Sequence, residues 1–250
     1  MNTVFSYIDT QFISPSLPYS KKFRITNREL DILEFVLEMK FSTLEDIHSK
    51  FFKVTRDGGV SHSLIWARQR ILNLVKSEFL QILTNVSAIP LYILTKKGFL
   101  YLKNTRTFND YCRPLFDIDT RFLNHDQRVS QIRIELERRG DVKRWISERL
   151  ISEHEEFKQT LTNEFRPDGI YETRDGNRVA FELEIARKSK IRYKQKVNRY
   201  INLILENDNQ ILFRQVHFVC EKESVLNLIK GYTELFQPYF KFNLVSDFLG

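Results

Sequence analysis

Three carboxylates and one run of cations hold most of the chemistry that this sequence can offer. Arg166-Pro167-Asp168-Gly169 and Phe181-Glu182-Leu183-Glu184 stand on two successive β-prone segments. Side chains alternate along a strand, so Glu182 and Glu184 share one face, and a hairpin partner can bring Asp168 beside them. Such groups repel one another unless a cation or hydrogen bonds compensate, and a hard metal is one solution. Asp168 and Glu182 would then be the metal ligands, with Mg²⁺ or Mn²⁺ polarising a scissile phosphate and activating water. Ala186 to Tyr200 follow with seven cations and no acid: Arg187, Lys188, Lys190, Arg192, Lys194, Lys196 and Arg199. Arg192, Lys196 and Arg199 fall on one helical face and are expected to hold the phosphates of a duplex crossing the carboxylates. The alternatives are a solvated face, or mates for the acids between residues 152 and 164.

The elements that must position these groups can be read from pattern. Asn124 is a candidate cap for a helix carrying Val129, Ile132 and Leu136 that ends at Gly140. Strands are expected over 142–151, 165–172 and 178–185, the last two joined by the turn signal Asp175-Gly176-Asn177. A long helix over 189–206 presents Tyr193, Val197 and Tyr200. A strand at 215–220, a helix at 224–236 and a strand at 240–248 close the chain. The order αβββαβαβ, without internal repeat, describes an α/β domain over 121–250 whose sheet carries helices on its faces.

The first half reads differently. Residues 1–22 form an extended arm, and Thr26 with Glu29 is a capping-box signature ahead of Leu30, Leu33, Val36 and Leu37. Ser42 or Thr43 caps a second helix, and Ser61 or Ser63 opens a third after Asp57-Gly58-Gly59. Two β-prone runs, 79–84 and 91–95, follow as a hairpin. Three helices and a hairpin over 23–104 make a winged helix-turn-helix, joined to the sheet domain by a connector at 105–120. Its third helix would enter the major groove of double-stranded DNA, with His62, Gln69, Arg70 and Asn73 as readers and Ser61 and Ser63 near the backbone. Lys96 and Lys97 would neutralise phosphates. A protein-interaction winged helix with a solvated third helix is the alternative.

Pro167-Asp168, the hairpin spacing, Glu182 and the αβββαβ order resemble the PD-(D/E)XK nuclease fold, the core of restriction endonucleases. More narrowly, the chain from about Thr26 to Glu221 resembles the replication-relaxation family of plasmid and mobile-element proteins. The similarity lies in the order of a winged helix, a His-headed helix (His125), an Arg144-Trp145 to Glu148 strand, the Arg-Pro-Asp-Gly strand and the Phe-Glu-Leu-Glu strand before a basic helix. The resemblance implies DNA binding in replication or mobilisation. In active PD-(D/E)XK enzymes the residue two after the second acid is lysine, which stabilises charge near the phosphate. Here it is Glu184, an anion that would repel the phosphate. Lys188, Lys190 or Lys194 would have to substitute in an active metal-dependent endonuclease. A nuclease-like scaffold kept for binding is the favoured expectation, and an adaptor in a replication or transfer complex, anchored by exposed aromatics, is the third.

Composition sets the outer bounds. The chain has 250 residues, 42% of them hydrophobic, with 8 Gly and 6 Pro, which excludes collagen-like and low-complexity classes. Residues 1–110 hold 15 Lys+Arg against 10 Asp+Glu, or +5 of the total +7. An anionic partner is therefore expected chiefly at the first half. Cys112 and Cys220 have no paired spacing, so a reduced, cytoplasmic setting without disulfides is expected. No secretory signal and no membrane-length apolar run is legible. The five histidines lack metal-ligand spacing, His125 and Trp145 read as structural, and a homodimer is compatible with the winged-helix reading.

Overall fold

The computed structural model describes residues 24–54, 58–84, 86–106, 112–158, 160–161, 165–206 and 212–250. The expected arm at 1–22, Asp57 and part of the connector lie outside the described residues. The chain is mixed α/β.

The first half begins with α1 (Asn27–Glu38), where Thr26 N–H donates to Glu29 at 2.9 Å and completes the capping box. In α2 (Leu44–Phe51) Thr43 accepts from the Asp46 amide at 3.1 Å. The third helix, α3 (Ile65–Lys76), starts later than Ser61 or Ser63, after a non-helical stretch in which the Ile65 amide donates to Ser63. Ala67, Ile71 and Leu74 bury its inner face. The hairpin β1 (Leu80–Leu83) and β2 (Leu91–Leu94) is antiparallel, and Ser42 bridges to Tyr92. α4 (Lys96–Thr105) closes the unit. A Cβ on Gly98 would stand 2.2 Å from the Phe79 carbonyl oxygen, so α4 can lie this close to the hairpin only with glycine there.

The second half is a five-stranded sheet in the order β3-β4-β5-β6-β7. β3 (Arg144–Ser147), β4 (Gly169–Glu172) and β5 (Arg178–Glu184) form an antiparallel meander. β6 (Gln215–Cys220) and β7 (Phe240–Leu244) add in parallel through α8 (Lys190–Glu206) and α9 (Glu223–Tyr232). Along β5 the parity is clear. Val179, Phe181 and Leu183 join a core with α5 (Leu123–Arg139), whereas Ala180 packs with Tyr193, Val197 and Tyr200 of α8. Glu182 and Glu184 share the parity of Ala180 and so face α8.

Several boundaries differ from expectation for local reasons. α5 starts at Leu123, before Asn124, because a 3-10 turn at Thr120–Phe122, capped by Asp119, leads into it. The strand expected over 142–151 stops at Ser147, which caps the short helix α6 (Glu148–Ile151); α7 (Glu155–Lys158) follows. β7 ends at Leu244, whose amide donates to Asp247 at 2.9 Å and turns the chain.

The halves are packed together. Phe35 and Met39 of the first half enter the α5 core cluster. Lys40, left-handed at φ 73° just past α1, sets its ammonium 2.9 Å from Asp126 and 3.2 Å from Glu148. Arg133 bonds Glu38 at 2.5 Å and Glu137 at 2.9 Å.

Candidate functional site

Two places gather the residues singled out by sequence. The first is where β4, β5 and α8 meet. Asp168, immediately before β4, accepts from the Leu183 amide at 2.7 Å, so the Pro-Asp segment is fastened across the hairpin to β5. On the other side Asp168 Oδ2 lies 3.3 Å from His125 Nε2, and Asp126 lies 3.5 Å from the same imidazole. Burial alone would hold the imidazole neutral, but its hydrogen bonds to Asp126 and Asp168 outweigh burial and raise it to about 10. Burial likewise opposes ionisation of Asp168. The imidazolium, the Lys196 charge and the Leu183 amide prevail, and the carboxyl is held below its usual range.

Glu182 and Glu184 are almost wholly buried. Lys196, from the second turn of α8, places its ammonium 2.5 Å from Glu182 and 2.9 Å from Glu184. Tyr200, one turn further, donates its hydroxyl to the other Glu182 oxygen at 2.5 Å. Lys188 reaches Glu184 at 2.8 Å from the rim. Burial pushes Glu182 up to about 7 against the pull of Lys196, with Asp168 and Glu184 adding to the rise. The Lys196 ammonium is held charged well above its ordinary value, because the three carboxylates around it overcome its burial.

The structure thus brings Asp168, Glu182, Glu184, Lys188 and Lys196 together and leaves Lys190, Arg192 and Lys194 exposed on α8. The shared face expected for Arg192, Lys196 and Arg199 divides. Lys196 points into the carboxylates, while Arg199 lies over the Phe165 ring at 4.5 Å. A signal for Lys196 was in the sequence: it stands three residues after Tyr193 and four before Tyr200, inside the apolar stripe. His125 and Asp126 also belong to this network, which runs on to Lys40 of the first half.

As a metal centre the arrangement is a poor fit. Both Glu182 oxygens are engaged by Lys196 and Tyr200, and Asp168 Oδ2 by His125 and the Leu183 amide. Among the described residues, no group of three or more His, Cys, Asp or Glu side chains is arranged to hold a metal ion. The small pocket beside His125 and Asp168 has a volume of only about 20 Å³. A larger cleft, about 840 Å³, opens between the halves near Lys50, Arg133 and Trp145, away from Asp168 and both glutamates.

The second place is the outward face of α3. Ile65, Trp66, Arg68, Gln69, Leu72 and Lys76 are exposed, as are His62 and Ser63 just before it, and Ser61 and Asn73 are half-buried. Arg70 instead turns back, its Nε donating to buried Glu29 at 2.7 Å. That contact helps hold the Glu29 carboxyl below its ordinary value despite burial. Arg70 therefore fastens α3 to α1. Arg68, which was not among the expected readers, is exposed instead. At the start of α4, Lys96 and Lys97 are exposed, and Lys97 pairs with Glu78 at 3.0 Å.

No helix among the described residues is long and apolar enough to cross a membrane. Both cysteines are buried free thiols. Compared with protein-family models, with curated proteins and with solved structures, the chain has no significant match.

Proposed function

We propose that this chain is a double-stranded DNA-binding protein. In this reading the first half acts as a winged helix whose α3 lies in the major groove, and the sheet half, similar to a PD-(D/E)XK domain, adds phosphate contacts. The observation that carries the reading is the outward face of α3: Arg68, Gln69 and Lys76 are exposed on a helix that has no acidic residue. Amide and guanidinium groups on such a helix match base edges and phosphates, and Lys96 lies beyond the hairpin to meet the backbone. The exposed cations just before and at the start of α8, Arg187, Lys190, Arg192 and Lys194, supply the second contact. The motif order that resembles the replication-relaxation family extends the proposal to replication or mobilisation of a plasmid or mobile element. The test is retention of labelled duplex DNA by the purified full chain. Gln69→Ala should weaken binding to a preferred sequence, and Lys190→Ala should weaken binding to all sequences alike.

A metal-dependent endonuclease is the second reading, favoured by one observation: a lysine ammonium meets Glu182 although the motif position is Glu184. Its test is nicking of supercoiled plasmid in Mg²⁺ or Mn²⁺ that disappears in Asp168→Ala. The engaged carboxylates argue for binding over cleavage.

A further inference from the structure

The outward face of α3 is not simply polar. Ile65 is 70% exposed, Trp66 68% and Leu72 40%, so three large apolar side chains stand in water on a twelve-residue helix. Ile65, Gln69, Leu72 and Lys76 follow one another at helical spacing, opposite the buried Ala67, Ile71 and Leu74, with Trp66 on one flank and Arg68 on the other. Isolated exposed apolar residues are ordinary, but Ile65 and Leu72 share one face of a short helix and Trp66 stands on its flank, and such a grouping marks a surface that something covers. The surrounding charge narrows what that is. Lys76 lies on the face itself, Arg68 on its flank, and α3 has no acid, which gives the patch the charge that a polyanion such as DNA complements.

Resting on the DNA-binding reading, we infer that Ile65, Trp66 and Leu72 contact thymine methyl groups, with Gln69 bonding the adenine of A·T pairs in the major groove. Glutamine matches the N6 and N7 edge of adenine, and the thymine methyl is the one apolar group that the major groove displays. Ile65 and Trp66 lie in the first turn of α3, the part of a recognition helix that comes nearest the base edges. Covering a methyl with an apolar side chain is worth roughly a fourfold gain in affinity. The protein should therefore prefer A·T steps and should lose that preference when the methyl is removed.

The experiment compares poly(dA-dT) with poly(dA-dU), two duplexes of equal charge that differ in the methyl alone. Competition for the full chain, read by fluorescence anisotropy, should favour the thymine polymer by roughly fourfold for each methyl covered. Ile65→Ser and Trp66→Ser should each lower the preference for the thymine polymer by roughly fourfold, the share of one methyl. Both side chains are mostly in water, so these variants should keep the wild-type thermal midpoint. Equal wild-type affinity for the two polymers would overturn the inference while leaving DNA binding intact. A chain that binds neither these polymers nor mixed-sequence DNA would overturn the DNA reading beneath it. A dimer that dissociates in Trp66→Ser, with no methyl dependence, would assign the face to a second copy and overturn the inference as well.

Discussion

Lys196 on α8 sets its ammonium 2.5 Å from the Glu182 carboxylate on β5. The contact closes a chain of charges from Lys40 through Asp126, His125 and Asp168 to the centre of the sheet half. It also explains how two glutamates tolerate burial on one strand face, since removing their cation would leave uncompensated charge in a low-dielectric setting.

Lys196→Met should therefore destabilise the fold by about 3–5 kcal/mol, because Glu182 and Glu184 lose the ammonium that both share. Denaturant midpoints give the measurement. Adding Glu182→Gln should recover part of the loss, and equal midpoints for wild type and Lys196→Met would show that the pair contributes nothing.

Stability should fall on the alkaline side through His125. Its folded value, about 10, lies above the ordinary 6.5, so folding favours the protonated ring. That contribution is complete below about 6.5 and is lost as pH rises through about 10. Urea midpoints across this range should decline in wild type and decline less in His125→Gln. Parallel curves for the two proteins would contradict the imidazolium's role.

Arg70 and Gln69 are neighbours on α3 with different fates. Arg70→Ala leaves buried Glu29 without its guanidinium and should lower stability by about 1–3 kcal/mol. Gln69→Ala should leave the unfolding free energy within about 0.5 kcal/mol of wild type and weaken selective DNA binding alone. A binding loss in both with no stability loss in Arg70→Ala would make Arg70 a reader after all.

Gly169 pairs with Phe181 beneath the Trp145 indole, and a Cβ there would come within 2.5 Å of the ring. Gly169→Ala should force Trp145 aside, costing about 1–3 kcal/mol and shifting the indole emission. A Trp66→Phe background isolates the Trp145 signal. Unchanged emission and stability would mean that the ring yields freely.

What the sequence made legible follows from period and punctuation. The alternation of Phe181-Glu182-Leu183-Glu184 placed both acids on one face, and the turn at Asp175-Gly176-Asn177 paired β4 with β5; both stand in the structure. The third helix and the hairpin were legible for the same reason. The partners of the charges were not. Lys196 and Arg70 read as solvated or DNA-facing cations: the place of Lys196 between Tyr193 and Tyr200 marked it as inward-facing, but helical spacing does not say which groups pack on a face. Tertiary packing put Glu182 and Glu184 under one and Glu29 beside the other. Asp126 was passed over because its partner, Lys40, is 86 residues away.

The central claim, DNA binding through the α3 face, is tested most directly by titrating a fluorescein-labelled mixed-sequence duplex with the full chain between about 50 and 200 mM salt. The expected result is saturable binding whose affinity falls steeply and linearly on logarithmic axes, with a shallower slope in Lys76→Ala and Lys96→Ala. No binding at the lowest salt, or an affinity indifferent to salt, would contradict the claim.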